Sequence, residues 1–199
     1  MWSLSWYQRG MSNVEVVPAA LADKVALQNM MQLYNHDFTE QWIGLSDREL
    51  GRNSAFAYLR DDGRFPDYPL EAYWVEDGRI PLLIKADGRL SGFALLNKLA
   101  HSGLGLDRNM AEFFVVRRCR RSGVGTRAAH LIFTAYPGRW EVAIARRNVG
   151  ALVFWRNAIT SHPGVSGFEE HDVEHDAWDG AILRFQIGSS PTAPRVDPL

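Results

Sequence analysis

This sequence has almost no cysteine, no long apolar run and no large excess of either charge. The 199 residues contain one cysteine, Cys119, which excludes an intrachain disulfide and favours a reducing, cytoplasmic setting. No apolar run approaches the roughly 20 residues that cross a bilayer, so we expect no membrane span. The formal net charge of -1 lacks the basic field of nucleic-acid-binding proteins, so we expect no nucleic-acid partner.

The remaining composition is that of an ordinary globular domain. Hydrophobic residues make up 46% of the chain and charged residues 23%, and the length suits one domain with a substantial core. Residues 1–10 lack the basic start and long apolar centre of a signal peptide, so we expect an N-terminal extension there. The domain is predicted to span 11–188, and the proline-containing tail 189–199 is predicted to be disordered.

Periodicity and capping patterns predict the first elements. Residues 14–17 form a short β-type run, and one buried helix face is predicted from the spacing i, i+3, i+4, i+7 of Leu27, Met30, Met31 and Tyr34. Ser46 and Glu49 form a capping box for a second, short helix. Residues 61–79 are rich in Asp, Gly and Pro and are predicted to be a loop with a helical turn at 70–74.

A sheet is predicted from the middle and end of the chain. Strands at 80–85 and 90–96 flank Asp87-Gly88, a hairpin turn pattern, and 111–116 is a third strand rich in aromatic and β-branched residues. Further strands are predicted at 140–145, 168–173 and 181–187. A helix follows the third strand, with a stripe formed by Val124, Ala128, Leu131 and Ala135, and Asn148 is the predicted N-cap of a helix to about residue 159.

This order predicts a mixed α/β fold. The middle strands form an antiparallel meander, whereas the strand-helix-strand unit from 111 to 145 predicts one parallel pair joined by a right-handed crossover. The sheet is therefore mostly antiparallel, with helices on both faces.

The chemistry of the chain is concentrated where the third strand runs through a basic loop into a helix. Gly123 and Gly125 remove side chains where a ligand approaches the backbone, and the first turn of the helix leaves N–H groups without intrahelical partners. These donors and the helix dipole favour an anion, and arginines such as Arg120 and Arg121 add phosphate-binding capacity. The segment 120–126 therefore predicts a diphosphate site, against the alternative of a glycine-containing loop with solvated arginines.

A second motif overlaps this segment. Residues 123–128 match the dinucleotide pattern G-x-G-x-x-A. That pattern normally follows its strand directly and opens a βαβ unit. Here residues 117–122 separate the motif from its strand, and the motif follows an antiparallel hairpin. Nucleotide binding is therefore the weaker interpretation.

The same segment resembles the acetyl-CoA pyrophosphate motif of the GNAT superfamily of N-acetyltransferases, (Gln/Arg)-x-x-Gly-x-(Gly/Ala), in Arg120 to Gly125. The segment Asn148-x-x-Ala151-x-x-Phe154-Trp155 is similar to a second motif of that family, an Asn-led helix beside the cofactor. The resemblance covers about residues 12–187, is most specific over 111–159, and suggests an uncharacterised "predicted acetyltransferase" branch.

The resemblance implies a GNAT-like fold and a binding site for acetyl-CoA. The strand residues Phe114, Val115 and Val116 would bind the pantetheine arm, and the diphosphate would be held by Arg120, Arg121, Ser122, Gly123, Val124, Gly125 and Thr126. Asn148, Ala151, Phe154 and Trp155 would lie along the pantetheine. A homodimer is compatible with the resemblance, since dimers are common in that family, but no stripe on this chain indicates one.

By the same resemblance, an amine attacks the thioester directly, without a covalent enzyme intermediate. The amine must first lose a proton, because alkylamines with a pKa near 10.4 are almost fully protonated at neutral pH. Glu112, the carboxylate of the third strand, is the candidate base, and a structural glutamate is the alternative. Many family members carry a tyrosine as general acid where this chain has Trp155, which cannot serve that role. Two alternatives follow: another group, such as Tyr136 or His130, protonates the thiolate, or the thiolate leaves unprotonated.

The acceptor is predicted to be a primary amine of a small molecule or a peptide. Asp37 follows the first helix, where the family often binds its acceptor, and Tyr34 and Trp74 are candidate aromatic walls; a polar helix end is the alternative. The acidic and histidine residues of 171–176 do not have metal-ligand spacing, so no metal is predicted. Cys119 lacks an evident base and is interpreted as a structural or merely exposed thiol. The alternative function is a catalytically silent acyl-CoA-binding or sensor module.

Overall fold

The structure is a computed structural model, and it describes residues 12–175 and 178–188, without the side chain of Arg52. The predicted extension 1–10 and tail 189–199 lie outside the described residues. The helices and strands follow one another in the order β1 (Val14–Pro18), α1 (Lys24–Thr39), α2 (Asp47–Leu50), α3 (Ser54–Ala57), α4 (Ala72–Val75), β2 (Ile80–Ala86), β3 (Arg89–Asn97), β4 (Arg108–Val115), α5 (Val124–Ala135), β5 (Gly138–Ala145), α6 (Val149–Thr160), β6 (Val165–His175) and β7 (Trp178–Ile187).

The described strands form one seven-stranded sheet in the order β1-β2-β3-β4-β5-β7-β6. The neighbours are antiparallel, except that β4 and β5 are parallel. The β2–β3 hairpin turns at Asp87 and Gly88, which both have positive φ, 51° and 72°, as a type I′ turn requires. The mixed α/β fold predicted from the sequence is confirmed.

The sheet opens between β4 and β5. Only Arg108↔Trp140 and Asn109↔Glu141 are paired across this boundary, whereas β4 stays paired with β3 up to Val115. Strand β5 stays paired with β7 up to Ala145. Beyond the two paired positions the sheet therefore divides into two halves, and a gap with unpaired backbone lies between them.

Helices cover both faces of the sheet. On one face, α1 buries Leu27, Met30 and Met31 against strand residues that include Phe93 and Phe114. On the other face, α5 and α6 pack on a core around Phe133 and Trp155. The capping box of α2 is present, since the Ser46 N–H donates to Glu49 Oε2 at 2.8 Å. Among the described residues, no helix is both long and apolar enough to cross a membrane.

The buried face of α5 differs from the predicted stripe. Val124 and Ala128 are buried, but Leu131 is 43% exposed and Ala135 is exposed as well. The face that packs on the sheet continues instead through Ala129, Ile132 and Phe133. The apolar residues of this helix span more than half of its circumference, and the predicted stripe lies at one edge of that arc, so it selected the wrong continuation.

Candidate functional site

Two adjoining cavities lie where the sheet opens. The first, here called the Glu112 cavity, has a volume of about 440 Å³ and is bordered by β4 residues 109–113 and β5 residues 142–145. The second, here called the Arg120 cavity, has a volume of about 510 Å³ and is bordered by the β4–α5 loop and the start of α6. Both are lined by Tyr34, Phe38, Phe113, Asn148 and Ala151, so the two cavities meet at the gap between the strands.

A β-bulge in β4 directs Glu112 into the first cavity. Leu95 pairs with Glu112 but Leu96 pairs with Met110, so Ala111 is an extra residue in the ladder. The alternation of side chains is thereby reversed: Met110 packs in the core under α5 and α6, whereas Phe114 and Glu112 face α1. The bulge thus brings a carboxylate to the side of the sheet where α1 supplies Tyr34.

Two phenols hold the Glu112 carboxylate. Tyr34 Oη donates to Glu112 Oε2 at 2.6 Å, and Tyr68, from the loop before α4, is also hydrogen-bonded to this carboxylate. Desolvation raises the pKa of Glu112 to about 7, although the two phenol hydrogen bonds act in the opposite direction. Glu112 therefore changes charge close to neutral pH.

The phenols themselves are poor acids. Burial, and next the adjacent Glu112 carboxylate, raise the pKa of Tyr34 and of Tyr68 well above the ordinary value of about 10. Both side chains therefore stay protonated as donors to Glu112. Tyr136 and His130, the alternative acids considered from the sequence, line neither cavity; the His130 ring instead contacts the Ala158 carbonyl oxygen at 2.8 Å.

The β4–α5 loop presents backbone N–H groups to the second cavity. Arg121 and Gly123 adopt left-handed conformations, with φ of 57° and 82°, before α5 begins at Val124. The turn at residues 120–123 leaves at most weak backbone hydrogen bonds for the N–H groups of residues 122–126, and the first well-formed bond runs from the Arg127 N–H to the Gly123 carbonyl. Five adjacent donors at a helix N-terminus form a suitable site for an anion.

Gly123 and Gly125 keep this helix start open in different ways. Any residue with a side chain at position 123 would be held in a strained backbone conformation, because φ is positive there. A Cβ at Gly125 would lie 3.2 Å from the Phe154 ring, so this glycine allows α5 and α6 to approach closely. The two glycines of the motif therefore have separate physical roles, one conformational and one steric.

The loop arginines are tied to α1. Asp37 Oδ1 accepts from Arg117 Nε at 2.9 Å, and Asp37 also pairs with Arg120. Arg120 Nε donates to the Val115 carbonyl at 2.7 Å. Burial raises the pKa of Asp37, but the hydrogen bonds from Arg120 and Arg117 outweigh it and lower the pKa below its ordinary value.

The structure brings most of the predicted cofactor residues together. The Arg120 cavity is lined by Phe114, Val115, Arg120, Arg121, Gly123, Gly125, Thr126, Asn148, Ala151 and Phe154. Asn148 caps α6, with Oδ1 accepting from the Ala151 N–H at 3.1 Å. Trp155 lines the Glu112 cavity and packs edge-on against Phe113 with ring centroids 5.0 Å apart.

Several predicted residues lie elsewhere. Val116, Ser122 and Val124 line neither cavity, and Val124 is buried beneath the loop. Asp37 lines the Arg120 cavity rather than the Glu112 cavity. Trp74 lines neither, because its indole N–H donates to the Ala19 carbonyl at 2.9 Å and its ring packs against the core under α1. Trp74 is therefore not an acceptor wall.

Other residues at the site were missed from the sequence. Tyr68, Asn35, Asn109 and Trp178 all line the Glu112 cavity. Asn109 has a sequence indication, since it is a polar residue at the start of an apolar strand. Tyr68 and Trp178 reach the site from a loop and from the last hairpin, and no local pattern marks them. Cys119 lines neither cavity and lies 3.7 Å from Ser91 Oγ. Among the described residues, no group of three or more His, Cys, Asp or Glu is arranged to hold a metal ion.

Comparison with known proteins identifies the fold. No protein-family model matches the sequence, and no curated protein matches it significantly. Solved structures do match. An acetyltransferase from Thermus thermophilus has a TM-score of 0.56 at 13% identity, over 89% of this chain and 98% of that chain. A GNAT-family acetyltransferase from Staphylococcus aureus has a TM-score of 0.51 at 11% identity, over 86% and 98%.

A third similar structure is the PaiA N-acetyltransferase of Thermoplasma acidophilum in complex with coenzyme A. Its TM-score is 0.50 at 12% identity, over 88% of this chain and 99% of that chain. At such identities the similarity concerns the fold. The chain has the fold of the GNAT acetyltransferases, and the resemblance drawn from its motifs is confirmed at that level.

Proposed function

We propose that this protein is an acetyl-CoA-dependent N-acetyltransferase that moves an acetyl group to a primary amine of a small molecule or a peptide. The observation that carries the proposal is the opening between β4 and β5, where a cavity with anion-binding groups meets a cavity with a carboxylate of pKa about 7. The GNAT fold and the coenzyme A complex of one structure with that fold support the same activity.

The residues of the Arg120 cavity suit coenzyme A. The N–H groups of residues 122–126 donate no well-formed hydrogen bond within the described chain, and Arg120 and Arg121 add positive charge, which together match a diphosphate. The part of β4 beyond Asn109 has no partner strand on its β5 side, so its backbone is available to an extended amide-containing arm. Bound acetyl-CoA supplies an activated acetyl thioester.

Glu112 prepares the amine. Its carboxylate accepts a proton from the acceptor, and the phenols of Tyr34 and Tyr68 keep it oriented into the cavity. The amine reacts in its neutral form: its nitrogen bonds to the acetyl carbon, the C–S bond breaks with its electron pair on sulfur, and the Glu112 carboxylate takes the one proton that the nitrogen loses as the amide forms. We assign no general acid. The raised pKa values of the Tyr34 and Tyr68 phenols make them too weakly acidic to protonate a thiolate of pKa near 8.5 efficiently.

A silent acyl-CoA-binding module is the second candidate. It is favoured by Trp155, which is 5% exposed and packed among aromatic rings at the position where the resemblance expects a tyrosine acid. The two candidates share the coenzyme site and differ in turnover.

Thiol release from acetyl-CoA, measured across a panel of primary amines alongside calorimetric binding of coenzyme A, separates these candidates. Transfer to at least one amine, lowered about a hundredfold or more in Glu112→Gln, is the result expected for the transferase. Binding without turnover on every amine would establish the silent module instead. NAD or ATP that outcompetes coenzyme A would contradict both.

A further inference from the structure

The wall of the Glu112 cavity carries little charge. Among the described residues that line it, Glu112 is the one acidic side chain and His101 the one basic residue type, whereas aromatic rings form much of the wall, among them Phe38, Trp42, Phe56 and Trp178. An acceptor with several ammonium groups would leave most of them without a carboxylate, and unpaired buried charge is costly. An acceptor with one amine and an apolar body suits this wall.

Three buried polar atoms of the cavity lining have no partner in the described structure. They are the donors Asn35 Nδ2 and Trp178 Nε1 and the acceptor Asn109 Oδ1. Asn35 is 7% exposed and Asn109 is 1% exposed. Buried polar groups without partners are destabilising, so their occurrence on three residues that line one cavity favours a ligand that gains access to them on binding and pairs with them.

The orientation of the Asn109 amide is determined by its neighbours. Asn97 Oδ1 accepts the Leu99 N–H at 2.9 Å, so it is an oxygen and not an amide nitrogen. The same atom accepts from Asn109 Nδ2 at 2.9 Å. Asn109 must therefore present its oxygen as the unpaired atom, and the ligand must offer a donor there.

The opposite wall is held in place by a buried carboxylate. Glu141 is fully buried and accepts the His101 N–H at 2.6 Å and the Ser102 N–H at 3.3 Å. The His101 ring in turn lies 4.5 Å from the ring of Trp178. The buried carboxylate of Glu141 is therefore linked through the loop at 101–102 to the indole of Trp178.

From these features we infer that the acceptor is a monoamine with an aromatic or bulky aliphatic body and a neutral carboxamide-type group. The carbonyl of such a group accepts from Asn35 Nδ2 or Trp178 Nε1, and its N–H donates to Asn109 Oδ1. The body fills the aromatic cavity, and the amine lies at Glu112. This inference rests on the proposed function and defines its substrate class.

The test compares four acceptors on the full chain with acetyl-CoA, at one pH and per concentration of free amine. They are phenylalaninamide, 2-phenylethylamine without the amide, phenylalanine with a carboxylate in its place, and the polyamine spermidine. We expect kcat/KM for phenylalaninamide to exceed that for 2-phenylethylamine and phenylalanine by about tenfold or more, and that for spermidine by about a hundredfold.

A matched pair of variants assigns the preference to the cavity. Trp178→Phe removes the indole N–H and keeps an aromatic ring, so the ratio of kcat/KM for the amide over the plain amine should fall by about fivefold. Val75→Ala, on α4 and 80% exposed, lies outside both cavities and should leave that ratio unchanged.

The outcomes distinguish failure of the inferred acceptor class from failure of the proposed acetyltransferase function. Spermidine as the best of the four, or equal kcat/KM for the amide and the plain amine, would overturn the inference while the transferase function stands. Failure to bind coenzyme A would overturn the proposed function itself. If coenzyme A binds but no amine is acetylated, the amines are ranked by calorimetric Kd on the coenzyme-loaded protein, and tighter binding of spermidine than of phenylalaninamide would again overturn the inference.

Discussion

At the scale of single residues, the site depends on one carboxylate in an unusual environment. Glu112 lies between two phenols at the border of a cavity, and desolvation raises its pKa to about 7. A base with that pKa is partly ionised near neutral pH and still basic enough to accept a proton. A structural glutamate in the same place would affect stability but not the pH dependence of the reaction.

The first prediction concerns that pH dependence. For an alkylamine acceptor of pKa about 10, log kcat/KM should rise with a slope of two below pH 7, where both the amine and Glu112 must lose a proton. Above about pH 7 the slope should fall to one, because only the amine still titrates. Glu112→Gln should lower kcat/KM about a hundredfold or more and show a slope of one throughout.

Tyr34→Phe provides the positioning control for this profile. The phenol hydrogen bond lowers the pKa of Glu112, so its removal should move the change in slope to higher pH. A profile whose inflection is the same in Tyr34→Phe and the parent, or is retained in Glu112→Gln, would remove Glu112 from the mechanism.

The second prediction concerns stability. Between pH about 4.5 and 7 the folded state binds more protons at Glu112 than the unfolded state, so this group lowers the free energy of unfolding as the pH rises through that window. Glu112→Gln removes the effect. The stability of the variant relative to the parent should therefore be about 1–3 kcal/mol greater at pH 8 than at pH 4, measured by urea denaturation. A relative stability that is constant with pH would mean that the carboxyl titrates normally.

At the scale of elements, helix starts and a bulge build the site. The N-terminus of α5 supplies free N–H groups, the N-terminus of α6 is closed by Asn148, and the bulge at Ala111 selects the face on which Glu112 lies. Asp37 links α1 to the arginine loop.

The third prediction tests the start of α6. Asn148→Ala removes the acceptor of the Ala151 N–H and should lower the free energy of unfolding by about 1 kcal/mol, with the m-value unchanged. Asn148→Asp keeps an acceptor oxygen and should retain most of the stability. Equal losses in both variants would show that the cap is not the source of the effect.

Element predictions from the sequence succeeded where the determining interaction is local. The Asp87-Gly88 turn, the Ser46–Glu49 capping box and the Asn148 cap are all interactions within four residues, and all three are present. The face of α5 was predicted wrongly, because its apolar residues span more than half of the helix circumference and the predicted stripe followed one edge of that arc.

At the scale of the whole molecule, the sheet is two halves joined by two paired positions of β4 and β5. The order of elements and the GNAT-type motifs were sufficient to predict this fold from the sequence. The site was only partly predictable. The 120–126 loop is marked by its motif and Glu112 by being the carboxylate of the third strand, but Tyr68 and Trp178 reach the Glu112 cavity through tertiary folding alone. Trp74 fails for the same reason, since a distant carbonyl, that of Ala19, binds its indole.

The measurement that tests the central claim most directly is calorimetric binding of coenzyme A to three proteins: the parent, Gly123→Glu and Gly63→Glu. Both glycines have positive φ, 82° and 75°, so the two variants introduce the same charge and similar backbone strain. Gly63 lies outside both cavities. We predict that Gly63→Glu binds like the parent and that Gly123→Glu, folded by circular dichroism, binds at least about tenfold more weakly. Equal affinity in all three proteins would contradict binding of the coenzyme diphosphate by the start of α5.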